Sequence, residues 1–323
     1  MMKTKIELLW DELRNKRDTS LITNSEFLLL RVNTKGSHII NAGIADSGKL
    51  MLALEVDIRP PDIGLETRSL VYFRHQRANG KWLMVLRLDG DELEQVFGRL
   101  CQDLIDEAEQ VITQTKLISL FQNRLSLWKK LFQMGNNGCL EKYQVKGLIA
   151  ELLALQSLLG DTNDQMEEAV YAWVGPLKRD QDFVFVDRAI EVKAIAPSVE
   201  HVGISSIDQL DSKDPLELWI FTLQDASPSD LTSICIIDLV TDLEGQLAKA
   251  GHRLLSQFRR LLLESGYIEQ ECYEAYRFNL KECSKYHVVE GFPRLTHLSL
   301  PTGIARASYS IALSAMDPFR QGE

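Results

Sequence analysis

The chain lacks what crossing or leaving a membrane requires. No stretch approaches about 18 uncharged apolar residues, so no membrane-spanning helix is read. The N-terminal MMKTKIELLWDELRNKR interrupts its apolar residues with charges, which excludes a secretory signal there and makes a cytoplasmic location the expectation. The five cysteines (Cys101, Cys139, Cys235, Cys272, Cys283) are scattered and form no C-x-x-C pair, so neither a disulfide framework nor a zinc knuckle is expected. His38, His75, His252, His287 and His297 have no metal-ligand spacing. The complete G-x-x-x-x-G-K-[S/T] loop of a motor ATPase is missing, since GIADSGK at 43–49 is followed by Leu50, and so is the G-x-S-x-G elbow of a serine hydrolase. Surplus positive charge is lacking too: 36 Lys+Arg face 46 Asp+Glu, a net of −10. That excludes coating nucleic acid through bulk charge.

What is present is ordinary globular material, 45% hydrophobic and 25% charged over 323 residues, enough for a sizeable core and for about two domains. Residues 3–17 have the pattern of an amphipathic helix. Strand-like runs follow at 26–33, 38–44, 50–57, 69–76 and 81–89, the last two joined through Ala78-Asn79-Gly80, a strong hairpin signal. Helices are expected at about 91–112 and 115–133. Gly135-Asn136-Asn137-Gly138 then breaks the periodicity, and the charge changes with it. Residues 1–140 carry 19 Lys+Arg against 18 Asp+Glu, and residues 141–323 carry 17 against 28. Two domains are therefore read, 1–138 and 139–323. The second opens with the helix LEKYQVKGLIAELLALQSLLG and a shorter one at 166–173. Strand signals follow at 182–186, 189–195, 202–205 and 216–223, with SSIDQL as a helical start. Residues 229–266 are mostly helical, and 276–314 return to strands.

Within IEVKA, strand alternation puts Glu191 and Lys193 on one face and Ile190, Val192 and Ala194 on the other. Alone, such a pair is usually a solvated strand face. Asp187-Arg188 can turn the preceding strand back, which brings Asp182 toward Glu191. Two adjoining carboxylates repel unless a cation lies between them, and hard divalent ions take oxygen ligands. On the long helix, Glu151 shares its face with Leu148, Leu155 and Leu158. An acid where packing favours leucine needs a partner, so Glu151 is a candidate third metal ligand or lysine partner.

The stretches GLIAELLALQSLL, AWVGPLKRDQDFVFVDRAIEVKA and VGISSIDQL resemble the PD-(D/E)xK nuclease superfamily. They are most similar to the bacterial family of PD-(D/E)xK motif proteins found near restriction and phage-defence genes. The motif covers about 140–225, and the similarity runs on through GFPRL and PTGIARASYSIAL. The aspartate here follows Gln181, not a proline, and Pro176 lies six residues earlier. The resemblance implies an α/β fold with a restriction-endonuclease-like αβββαβ core, an N-terminal α+β accessory region and a C-terminal α/β extension. It implies Asp182 and Glu191 as ligands of Mg2+, with Mn2+ as a substitute. It makes Lys193 the catalytic lysine, Glu151 the core-helix acid at the metal, and Gln209 the polar residue of a second core helix. The implied function is a metal-dependent endonuclease hydrolysing DNA in restriction or phage defence, compatible with a homodimer that cuts both strands.

The acidic surplus opposes a free-standing DNA enzyme. It motivates a rival reading: a nuclease-fold scaffold or regulatory subunit whose partner proteins in a defence complex bring the DNA. RNA is the other substrate class. Two basic surfaces could touch nucleic acid: Arg74, His75, Arg77 and Lys81 on the first-domain hairpin, and Arg253, Arg259 and Arg260 on a helix of the second. Charged hairpin tips are more commonly just solvated.

Overall fold

The computed structural model describes residues 3–19, 27–64, 66–67, 69–133 and 139–322. The Gly135–Gly138 turn lies outside them. The chain forms two compact units, Met1–Cys139 with Ile268–Gln270, and Leu140–Tyr267 with Glu271–Glu323. The architecture is mixed α/β. Among the described residues no helix is long and apolar enough to cross a membrane.

In the first unit, helix α1 (Lys5–Thr19) precedes strands β1 (Phe27–Arg31), β2 (Ile39–Ala45), β3 (Leu50–Val56), β4 (Leu70–Gln76) and β5 (Trp82–Leu88), followed by α2 (Glu94–Ala108) and α3 (Gln114–Gln133). The strands form one antiparallel sheet in the order β1-β2-β3-β5-β4. The run LMLALEV makes β3, and all seven of its residues are buried, as expected of a central strand walled on both faces. The β4–β5 hairpin turns at Gly80, whose φ of 82° lies in the left-handed region that glycine enters without steric cost. Trp10 of α1 stacks on Phe97 of α2 at 5.2 Å between ring centroids and donates its indole N–H to the carbonyl of Met51.

In the second unit, α4 (Lys142–Leu158) and α5 (Asn163–Ala172) precede β6 (Phe183–Val184), β7 (Ala189–Ile195), β8 (His201–Ile204), β9 (Leu216–Ala226), β10 (Ile234–Cys235), α6 (Ile236–Ala250), α7 (His252–Glu264), β11 (Arg277–His287) and β12 (Tyr309–Ala312). Helix α4 begins with a capping box, the Glu141 side chain accepting from the Gln144 backbone and Gln144 from that of Glu141. The main sheet runs β10-β11-β9-β7-β6. Strands β7 and β9 are parallel, Glu191 lying opposite Leu218 and Lys193 opposite Ile220. The turn at Asp187-Arg188 makes β6–β7 an antiparallel hairpin, closed by the Phe185 N–H on the Arg188 carbonyl.

Two features differ from the sequence reading. Strand β8 does not join the main sheet; it pairs antiparallel with β12, about a hundred residues on. Its apolar residues Val202 and Ile204 pack with Ala189, Leu218, Ile220 and Ile311 into one core. The helical start at SSIDQL amounts to a single 3-10 turn, Ile207–Gln209, capped by the Ser206 hydroxyl on the Asp208 N–H. The cysteine reading is corrected as well: Cys139 and Cys272 are disulfide-bonded, while Cys101, Cys235 and Cys283 are free.

Candidate active site

The end of α5 leads into a tight corner. Trp173 closes the helix, and Gly175–Leu177 form a 3-10 turn. The N–H groups of Val174 and Gly175 both donate to the carbonyl of Asp182. This clasp fixes Asp182 immediately before β6. Its carboxylate reaches across the hairpin, and Oδ2 accepts the Val192 N–H at 2.8 Å. Glu151, half-buried on α4, accepts the Trp173 indole N–H on Oε2 at 2.8 Å.

Gly175 lies between these two acids. A β-carbon there would stand 2.7 Å from Asp182 Oδ1 and 2.9 Å from Glu151 Oε2, closer than carbon and oxygen can approach. Glu191, 1% exposed, sits in the middle of β7. Its Oε1 takes the ammonium of Lys193. Its Oε2 is buried without a hydrogen-bond partner. Asp182, Glu191, Lys193, Glu151 and Gln209 all line one cleft of about 440 Å³.

The electrostatics follow from this crowding. Burial pushes the Glu151 carboxyl up to about 8, with the Asp182 charge adding to the rise and the Trp173 N–H and Lys193 opposing it. Burial also raises Asp182, against the pull of Lys193 and the Val192 N–H. Glu191 is raised well above the ordinary carboxylate range by burial and by Asp182, although Lys193 lies on it. One ammonium therefore serves three acids, and the site is short of positive charge.

The DUF4420 family model, described as "Putative PD-(D/E)XK family member", matches residues 6–314. The chain belongs to this PD-(D/E)XK family. No curated protein and no solved structure matches it.

PD-(D/E)XK proteins form a nuclease superfamily that generally uses divalent metals. The donor set in this member of the family suits such an ion. All three acids offer hard oxygen, and a buried carboxylate oxygen of Glu191 has no donor of its own. Among the described residues no three His, Cys, Asp or Glu side chains are gathered into a ready ligand set. Magnesium tolerates that arrangement, because it is commonly held by one or two carboxylates and completed by water and substrate phosphate.

Gln209 reaches the cleft from its turn, with Oε1 accepting the Ser205 N–H at 2.8 Å. The clefted residues do not include His201, which is exposed on β8. The basic surfaces read as nucleic-acid contacts are largely engaged elsewhere. Arg77 and Lys81 pair with buried Glu55, Arg74 with Asp62, Arg259 with Glu244 at 2.7 and 3.0 Å, and Arg253 with Glu167. Sequence reasoning missed Trp173, Gly175 and Lys146. The WVGP string was visible, and an indole next to a glycine just upstream of the aspartate was the available signal.

Proposed function

We propose that this chain is a magnesium-dependent phosphodiesterase acting on DNA, built on a restriction-endonuclease-like core in the second unit. The observation that carries the reading is the convergence of Asp182, Glu191, Glu151 and Lys193 on one cleft, with a buried, partnerless oxygen on Glu191. Support for the core comes from its parts: a helix bearing Glu151, the β6–β7 hairpin bearing Asp182 and Glu191, and β9 parallel to β7.

Asp182 and Glu191 would hold the ion, with Glu151 at its margin. Bound there, a divalent cation supplies Lewis acidity, neutralising charge on the attacked phosphate and making water a better nucleophile. The remaining work belongs to side chains. Lys193, fixed by Glu191, orients the attacking water and offers a proton donor beside the phosphate. The Val192 N–H holds Asp182 in place, and the Trp173 indole does the same for Glu151. Gln209, with its carbonyl oxygen already committed to Ser205, keeps its amide N–H groups for a substrate oxygen.

The net charge of −10 favours one second reading, a scaffold or regulatory subunit in a defence complex to which partner proteins deliver DNA. The deciding test is cleavage of plasmid DNA by purified protein with magnesium or manganese, beside Lys193→Ala. The enzyme reading expects cutting that the variant loses by roughly a hundredfold or more. Cutting by the variant at the wild-type rate removes Lys193 from catalysis. A wild type that neither cuts nor binds DNA, yet co-purifies with a partner, supports the scaffold.

A further inference from the structure

The acids of the cleft cannot by themselves attract a polyanion, so a substrate phosphate must be held by something else. Helix α4 contributes Tyr143, Lys146 and Gly147 to the same cleft as Glu151. Lys146 differs from its neighbour Lys142, which is tied to Asp225 at 2.7 Å. No hydrogen bond or ion pair holds the Lys146 ammonium among the described residues, and it lies over the Phe278 ring, 5.9 Å from the centroid. The side chain is half-buried. Burial lowers its pKa, the Asp225 charge partly opposes that, and Lys142 adds a smaller push downward. Two lysines four residues apart on a helix repel mildly, and Asp225 neutralises only one. Next to Lys146, a β-carbon added at Gly147 would meet nothing within 4 Å. The glycine weakens the helix without relieving any internal crowding, and it leaves the helix surface bare where it faces the cleft. Along the axis, Lys146 and Glu151 are separated by about 7.5 Å at 1.5 Å per residue, about two nucleotides of a strand rising 3.4 Å each.

We propose that Lys146 grips a backbone phosphate one or two nucleotides from the scissile bond, the strand lying over the bare surface at Gly147 and against the exposed ring of Tyr143. This inference rests on the phosphodiesterase reading and assigns that site its substrate-positioning cation. Lys146 touches neither the reacting atoms nor the acids, so its loss should appear in binding.

The test is fluorescence anisotropy with a short labelled DNA duplex and the matching single strand, calcium replacing magnesium, followed by cleavage kinetics with magnesium. Lys146→Ala is expected to weaken binding roughly tenfold and to reduce the slope of log K against log salt by about one. KM rises while kcat changes little, and Lys146→Arg restores both affinity and slope. Unaltered affinity and salt slope in Lys146→Ala overturn the proposal, as does a wild type that binds neither probe. A wild type that binds DNA through Lys146 but cuts none with magnesium leaves the phosphate contact standing and removes the hydrolase reading alone.

Discussion

The indole N–H of Trp173 donates to Glu151 Oε2 across 2.8 Å, so the acid of α4 is held by the residue that closes α5. Two residues later the chain passes between that carboxylate and Asp182 with no side chain at all. This corner, more than the acids themselves, sets the spacing of the site.

Gly175→Ala should therefore disturb the site directly. The new methyl group would meet Asp182 Oδ1 at 2.7 Å and Glu151 Oε2 at 2.9 Å, and both acids are already tethered. Differential scanning fluorimetry should show a loss of about 1–3 kcal/mol of stability, typical of an overpacked site. Magnesium-dependent cleavage should fall more steeply than that loss explains. Unchanged melting and cleavage would show that the corner yields freely.

The raised carboxyls make stability depend on pH. Glu151 titrates at about 8 in the folded chain, against an ordinary 4.5. Its neutral form is the one the fold favours, so this stabilisation is complete below pH 4.5 and is lost as pH rises through about 8. Asp182 and Glu191 shift in the same direction. Melting temperature without divalent ions should decline across that window, and Glu151→Gln should flatten the decline. Because cations take ionised carboxylates, stabilisation by magnesium should be greater at alkaline than at mildly acidic pH. A flat profile in both conditions contradicts these assignments.

In the first unit, Glu55 is 8% exposed and is salt-bridged by Arg77 at 2.6 Å and Lys81 at 2.9 Å. Burial works to raise its pKa, but the bonds from Lys81 and Arg77 prevail and lower it. Replacing both cations with Ala leaves the Glu55 charge without its partners and should lower the denaturant midpoint of unfolding. A negligible change would free the two residues for the nucleic-acid role that the sequence alone suggests.

Much of the candidate cleft is legible in the sequence, because its signals are local. Glu151 stood out as an acid among leucines, Glu191 and Lys193 alternate with apolar residues, and Asn79-Gly80 marks its hairpin. What could not be read depends on approach in space. The pairing of β8 with β12 joins segments about a hundred residues apart, and no periodicity encodes it. SSIDQL carries a good cap in Ser206, yet it stops after one 3-10 turn because Leu210 is drawn into the core shared with β8 and β12. Gly175 is conspicuous only once two carboxylates are seen on either side of it, and Lys146 only once Lys142 is seen to hold the nearby aspartate.

The central claim is that Asp182 and Glu191 hold a divalent cation beside Lys193. Calorimetric titration of magnesium into the wild type and into Glu191→Gln, with no nucleic acid present, tests it most directly. A saturable binding heat in the wild type that disappears in the variant is the predicted result. Equal binding by the two proteins would place the ion elsewhere and contradict the account.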